Sequence, residues 1–144
     1  MNLPRARTTM PEPNALLHTM PISVRWGDMD AMGHVNNAAY LTYFEQARFD
    51  WWKALGIEVN GSGEGPILAK ATVNYLRAIT YPCEIEVTVT ANRVGGASFT
   101  IGGEIVDRAD PSQRYADAEF VIVWLDYDSG KTLRVPDALR SLFP

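Results

Sequence analysis

The stretch RWGDMDAMGHVNNAAYLTYFEQARFDWW, from Arg25 to Trp52, joins an acidic loop to a helix and decides the fold. Apolar residues recur at steps of three or four, which predicts an amphipathic helix from Asn37 to Leu55 with one buried face. At about 1.5 Å per residue, such a helix is roughly 28 Å long and can cross a small sheet. The buried face is predicted to hold Tyr40, Phe44, Ala47, Trp51 and Leu55.

The loop before this helix is rich in polar residues. Asn36 or Asn37 can cap the helix by accepting a backbone N–H, and Gly56 can end it. Asp30 and its neighbours in the loop are also typical of simple helix capping. The start of a helix, however, carries partial positive charge and free N–H donors, which suit a carboxylate or a developing oxyanion.

Five strands are predicted around the helix. A first short strand runs over residues 22–26, and the glycine-rich residues 59–65 form a flexible connection after the helix. Four longer strands follow at residues 67–75, 85–89, 99–105 and 115–126, each with alternating apolar positions. Ile67, Ala69, Ala71, Val73 and Tyr75 are predicted to share one strand face. Gly95 and Gly96 are predicted to form a tight hairpin turn.

This order predicts an α+β fold in which a curved antiparallel sheet wraps around one long central helix. Small residues beside large ones in the last strand would let the helix lie close to the sheet. Such a sheet leaves its edges bare, so pairing with a second copy is expected.

Composition excludes several classes of function. A net charge of -4 without a local arginine or lysine cluster argues against nucleic-acid binding. The lone Cys83 cannot form an internal disulfide, which fits a reducing cytoplasm, and two histidines without a metal-binding spacing predict no metal site. We therefore expect a cytoplasmic protein with no metal and no cofactor.

The chain is expected to form one domain. Residues 1–19 contain Pro4, Pro11 and Pro13 and no apolar stripe, which predicts a flexible tail before a single domain at residues 20–144. No stretch approaches the roughly 18 consecutive apolar residues of a membrane span, so no membrane association is expected.

From Asp28 to Arg48, the pattern D-x-D followed by G-H-V-N-N-A-x-Y-L-x-Y-F-E-x-A-R resembles the signature of the hotdog-fold acyl-CoA thioesterases, the 4-hydroxybenzoyl-CoA thioesterase-like superfamily. In that family the second acid of the pair is catalytic, and this corresponds to Asp30. A backbone N–H at the helix start, seven residues later, binds the thioester oxygen, and this corresponds to Asn37. The resemblance covers about twenty residues.

The resemblance implies a hotdog domain that works as a homodimer or homotetramer, with active sites between subunits and coenzyme A as part of the substrate. His34 and Asn36 are candidates for positioning water or substrate, although His34 also suits a structural role. Asp28 is commonly structural in the family. Tyr40, Phe44 and Arg77 are candidate substrate-binding residues, and the H-V-N-N form resembles the branch that acts on fatty acyl chains.

The leading hypothesis is hydrolysis of an acyl-CoA thioester, with Asp30 as nucleophile or as general base for water. A noncatalytic acyl-CoA-binding module of the same fold is the alternative. A hotdog hydratase or dehydratase is a further alternative, but it needs an acid/base pair near the α and β carbons of the acyl chain.

Overall fold

A computed structural model describes residues 14–144 of the chain. The elements are β1 (Ala15–Ser23), α1 (Asn37–Ala54), β2 (Glu64–Tyr75), β3 (Glu84–Val94), β4 (Ser98–Asp107), β5 (Arg114–Asp126) and α2 (Asp137–Arg140), with a 3₁₀ turn at Trp26–Asp28 before α1. The five strands form one antiparallel sheet in the order β1-β3-β4-β5-β2. The predicted α+β architecture is confirmed.

The helix α1 packs tightly on the sheet because a glycine lies beneath it. The Phe44 ring lies 5.1 Å from the Phe120 ring of β5. A Cβ atom added to Gly103 of β4 would lie 3.0 Å from Cε1 of Phe44 and 2.7 Å from the carbonyl oxygen of Thr88. Burying a side chain as large as phenylalanine stabilises a protein by roughly 1.5–3 kcal/mol. The close approach depends on Gly103 of β4, whereas the sequence predicted small residues for this role in the last strand.

The predicted first strand was placed too late in the sequence. β1 begins at Ala15 and pairs with β3 from Ala15 opposite Ala91 to Ser23 opposite Glu84. Residues 15–19 therefore belong to the sheet, and the expected tail boundary at residue 19 is wrong; residues 1–13 lie outside the described part of the chain. The strand tolerates Pro21 because β1 is an edge strand, where a missing backbone N–H need not break the sheet.

The helix is buried over a wider face than its apolar spacing predicted. Tyr43, Arg48 and Trp52 are buried together with the expected Tyr40, Phe44, Ala47 and Trp51. The helix ends at Ala54, so Leu55 is its C-terminal cap and remains 40% exposed. The predicted end of the apolar stripe at Leu55 is therefore wrong.

β2 starts earlier than predicted, at Glu64, and contains an irregularity. The register with β5 shifts between Leu68 and Lys70. A shift of this kind reverses the faces of the residues before it, so Ile67 does not share the face of Ala71, Val73 and Tyr75 as predicted. The predicted glycine turn is confirmed, since the Gly95 N–H donates to the Ser98 carbonyl at 2.7 Å.

Within residues 14–144, no helix combines the length and apolar character that a membrane crossing requires.

Candidate active site

The acidic loop is a small hairpin that leads into α1. Met29 and Val35 form an antiparallel bridge. The Asp30 N–H donates to the His34 carbonyl at 2.9 Å, and the Gly33 N–H donates back to the Asp30 carbonyl at 3.1 Å. Gly33 has φ of 80°, a left-handed conformation that favours glycine. The turn thus holds the Asp30 backbone next to the start of the helix.

Asp28 fastens this hairpin to the body of α1. Its carboxylate accepts the Tyr43 hydroxyl at 2.7 Å and the Arg25 backbone N–H at 3.0 Å. Partial burial alone would raise the pKa of Asp28, but these hydrogen bonds and the Arg25 guanidinium hold that pKa below its usual value. Burial and the bond to Asp28 raise the pKa of Tyr43. Asp28 therefore has a structural role in the geometry of the loop.

Asp30 opens onto a cleft of about 530 Å³. Its Oδ1 atom accepts the Met32 backbone N–H at 2.9 Å, while within residues 14–144 no donor contacts its Oδ2 atom. Asp30 is partly buried, and its Oδ2 atom is available to a substrate or a water. The cleft is lined by Asp30, Met32, His34, Val35, Asn37, Tyr40, Tyr75, Leu76, Arg77 and Ala78.

The first residue of α1, Asn37, lines the same cleft. Asn36 is the N-terminal cap, and its side-chain oxygen accepts the Ala38 N–H at 2.8 Å. The Ala39 N–H donates to the Asn36 carbonyl at 2.9 Å. Among residues 14–144, the Asn37 N–H has no acceptor, and Asn37 lines the cleft. Within residues 14–144, the helix start thus offers one unpaired donor at the cleft that Asp30 also lines.

Two tyrosines build the wall opposite the loop. The Tyr75 hydroxyl donates to the Asn37 carbonyl at 3.0 Å, and the Tyr40 hydroxyl donates to the Arg77 carbonyl at 3.1 Å. Their rings meet edge to face with centroids 4.9 Å apart. The Arg77 guanidinium is exposed and donates to Gln113 Oε1 at 2.9 Å. These contacts tie the end of β2 to the first turn of α1.

Five of the seven predicted site residues come together in the cleft: Asp30, His34, Asn37, Tyr40 and Arg77. Asn36 does not line it, because its side chain caps the helix instead. Phe44 does not line it either; it is 2% exposed and packed on Phe120, so its predicted contact with substrate is wrong. Its position in the helical stripe indicated burial, which is the role that it has.

Sequence reasoning missed Met32, Tyr75 and Leu76. Tyr75 and Leu76 lie at the end of β2, and only the three-dimensional pairing brings them to the helix start. Both side chains are half-exposed, at 47% and 49%, and the sequence alone does not indicate this exposure. Met32 follows Asp30 closely and could have been included on proximity alone.

A second cleft, of about 630 Å³, lies at the other end of α1 around Trp52, Lys53 and Ile57. It is larger but contains no residue of the acidic loop. The described residues hold no cluster of three or more histidine, cysteine, aspartate or glutamate side chains suited to a metal ion. The cleft at the start of α1 is the candidate active site, because it is lined by Asp30 and by Asn37, whose N–H has no acceptor among residues 14–144.

Comparison with known proteins also indicates a thioesterase. A family model described as the thioesterase-like superfamily matches residues 24–143. A solved structure of a proposed thioesterase from Pseudomonas aeruginosa is 37% identical, with a TM-score of 0.84, and the match covers 88% of this chain and 97% of that one. A proposed acyl-CoA thioesterase from Xanthomonas campestris is 42% identical, with a TM-score of 0.72, covering 83% and 99%.

A curated relative is the chloroplastic acyl-acyl carrier protein thioesterase ATL2 of Arabidopsis thaliana. It is 28% identical over 131 residues, which cover 88% of this chain and 68% of the relative. The match to the solved thioesterase structures confirms the predicted hotdog fold.

Proposed function

Because the chain belongs to the thioesterase-like superfamily, we propose that it hydrolyses an acyl-CoA thioester to a free carboxylic acid and coenzyme A. The prediction that the protein is a thioesterase of this family is confirmed by the family match and by the similar thioesterases. We propose the substrate and the roles of the individual residues.

The observation that supports this proposal most is the pairing of two reactive features in one cleft. Among residues 14–144, one oxygen of the Asp30 carboxylate and the backbone N–H of Asn37 have no hydrogen-bond partner, and both residues line this cleft. A thioester carbonyl bound against the Asn37 N–H would be polarised by that donor and by the positive end of the α1 dipole. The same donor would then hold the negative oxygen of the tetrahedral intermediate.

Asp30 would act on the carbonyl carbon from beside this donor. As a nucleophile, its carboxylate would form the new C–O bond while the C–S bond breaks and the thiolate leaves, giving a mixed anhydride that water hydrolyses. As a general base, it would take a proton from a water that attacks the carbonyl directly. Both routes use the same free oxygen and release the same products.

Other residues of the cleft suit substrate binding. The exposed guanidinium of Arg77 at the rim can meet a phosphate of coenzyme A, because arginine presents paired donors to such groups. The half-exposed ring of Tyr75, packed on the buried Tyr40, gives the thioester an apolar surface. His34 lines the rim and is exposed, so it is available to a substrate or a water.

We further propose that a second copy of the chain pairs along β2. This strand is an edge of the sheet, and apolar side chains remain exposed along it, with Ile67 at 48% and Leu68 at 42%. β2 ends at Tyr75, which lines the candidate active site together with the following Leu76, so a copy bound here would border the cleft. Sedimentation of the wild-type protein tests this: a dimer or tetramer is expected, and a monomer at assay concentrations would refute it.

The proposed reaction is tested by incubating the protein with a panel of acyl-CoA esters and titrating released thiol. Release that depends on Asp30 supports hydrolysis. Binding without release would support the noncatalytic module, and a new double bond or hydroxyl on the acyl chain would support the hydratase. Asp128→Asn is the matched control, since Asp128 is exposed and lies outside the cleft.

The assay must also compare two thiol carriers, coenzyme A and acyl carrier protein. One relative is named for acyl-acyl carrier protein and another similar protein for acyl-CoA. The panel should therefore present each acyl group on both carriers. Faster turnover of the coenzyme A ester is expected, whereas exclusive turnover of the carrier-protein ester would overturn the choice of coenzyme A but not the hydrolysis itself.

A further inference from the structure

Arg48 of α1 is a buried arginine that the proposed reaction does not use. It is 6% exposed, and its guanidinium carbon lies 4.8 Å from the centre of the Phe120 ring. Within residues 14–144, its enclosed Nη1 atom has no hydrogen-bond partner. Burial lowers the pKa of Arg48, and the negative charge of Glu45 opposes this change. A buried cation without an acceptor is strongly unfavourable, so an acceptor from elsewhere is expected.

Arg48 borders a small cavity of about 180 Å³ between α1 and β2. A water in the liquid occupies about 30 Å³, so the cavity has room for several waters or the end of an alkyl chain. Its walls are mostly apolar and consist of Leu41, Thr42, Glu45, Arg48, Leu68, Ala71 and Phe120. Glu45 and Thr42 are exposed, whereas Arg48 is the buried polar residue of this lining.

The cavity lies in line with the candidate active site. On α1, Asn37, Leu41 and Arg48 follow one another at steps of four and seven residues, which places them along one side of the helix. Arg48 is thus about 16 Å along the helix from Asn37. On the neighbouring strand, Tyr75 lines the candidate active site, while Ala71 and Leu68 line the cavity.

The register shift in β2 makes this alignment possible. Leu68 and Ala71 are three residues apart, so in a regular strand their side chains would point to opposite faces. The shift between Leu68 and Lys70 brings both to the same cavity. Leu41 on α1 and Ala71 and Leu68 on β2 therefore follow, along each element, the residues that line the candidate active site, and they lie on the way to Arg48. We call these three apolar side chains the strip.

We propose that this strip receives the acyl chain of the substrate, and that Arg48 selects acyl groups whose far end carries an oxygen acceptor, such as a hydroxyl or a carboxylate. The inference rests on the proposed thioester hydrolysis and names its substrate class. A plain methyl end would leave the guanidinium without an acceptor. An oxygen at that end would hydrogen-bond to it, with a carboxylate also offering paired acceptors.

Selection by a buried donor is expected to be strong. A site that hydrogen-bonds a substrate group rejects the analogue lacking that group far more than an apolar pocket rejects one extra methylene. Glu45 borders the same cavity and would repel a carboxylate, so a hydroxyl and a carboxylate are both needed in the test. The expected preference over the methyl-ended ester is about tenfold or more in kcat/KM.

The test compares alkanoyl, ω-hydroxyalkanoyl and ω-carboxyalkanoyl esters of coenzyme A over a series of matched chain lengths. Thiol release is measured for the wild type, Arg48→Met and Arg48→Lys. Arg48→Met keeps the apolar stem but removes the donors, and Arg48→Lys keeps the charge. Arg134→Met is the control, since Arg134 is an exposed arginine outside the cavity. Circular dichroism and sedimentation check the fold and the oligomeric state of each variant.

The wild type should prefer an oxygenated ester at one chain length. In Arg48→Met this preference should disappear, because kcat/KM for the oxygenated ester falls. Arg48→Lys should retain part of the preference. Equal rates for all three ends in the wild type would overturn the proposal without the need for any variant. The proposal would also be overturned if Arg48→Met changed the oligomeric state but left the preference for an oxygenated ester unchanged. The acceptor for the Arg48 guanidinium would then belong to a second copy of the chain.

Failure of the proposed hydrolysis has a different signature. If no ester released thiol, the hydrolysis itself would be wrong. Binding of thioether analogues with the same three ends, measured by calorimetry, would still test Arg48, because these analogues bind without turnover. Tighter binding of an oxygenated end in the wild type but not in Arg48→Met supports the role of Arg48, and equal binding of all ends contradicts it.

Discussion

The substitution Asn37→Pro would remove the proposed oxyanion donor while leaving the helix in place. Asn37 is the first residue of α1, and proline is well tolerated at the first helical position because its φ suits the helix. The preceding Asn36 has φ of −57° and ψ of 137°, an extended conformation compatible with a following proline. The contact from Tyr75 reaches the Asn37 carbonyl, which proline retains.

The expected cost falls on turnover rather than on stability. In the described chain, the Asn37 N–H donates to no acceptor, so proline removes no hydrogen bond of the folded protein. Loss of one oxyanion donor lowers kcat by about 10²–10³-fold, or roughly 3–4 kcal/mol. Asn37→Ala keeps the N–H and is the matched control, with activity expected within a few-fold of the wild type.

The assay measures kcat for thiol release at saturating substrate, together with urea unfolding of each variant. A stable Asn37→Pro protein that turns over at the wild-type rate would refute the role of this N–H. An equal loss in Asn37→Ala would instead assign the effect to the asparagine side chain.

Two further substitutions test the packing and the loop. Gly103→Ala should lower the free energy of unfolding by about 1–3 kcal/mol, because the added Cβ would press on Phe44 and on the backbone. Urea titration measures this change. Gly96→Ala is the control, since a Cβ added there meets no atom within 4 Å. Asp28→Asn should cost about 1–3 kcal/mol at neutral pH by weakening the charged bond from Tyr43. The Asp28 pKa is lowered in the folded protein, so this stabilisation is complete above the free-aspartate value of about 3.9 and disappears as pH falls through the folded pKa. Unfolding curves of wild type and Asp28→Asn should therefore converge in acid, and a constant gap at all pH values would contradict the account.

The parts of the fold that the sequence predicts correctly are local. The stripe from Tyr40 to Trp51 and the asparagine cap depend on neighbours along one helix, and the structure has both. Gly95 and Gly96 form their predicted turn for the same reason. The start of β1 was missed because Ala15 is ordered by its pairing with Ala91, a partner far away in the sequence.

The residues of the candidate site also fall into those that local sequence predicts and those that depend on the folded sheet. Asp30 and Asn37 are close in sequence, so a loop followed by a helix suffices to predict their meeting. Tyr75 reaches the helix start only through the folded sheet, and no spacing in the sequence indicates it. Phe44 was assigned to the substrate although its helical position indicated burial, so local periodicity was the better guide there.

The central claim is that the Asp30 carboxylate and the start of α1 act together on a thioester carbonyl. The most direct test measures the rate at which Asp30→Asn releases thiol from the best ester at saturating substrate. Binding of a thioether analogue is measured on the same variant. The account predicts that the analogue still binds while thiol release falls by orders of magnitude. Wild-type release by a correctly folded Asp30→Asn protein would contradict it.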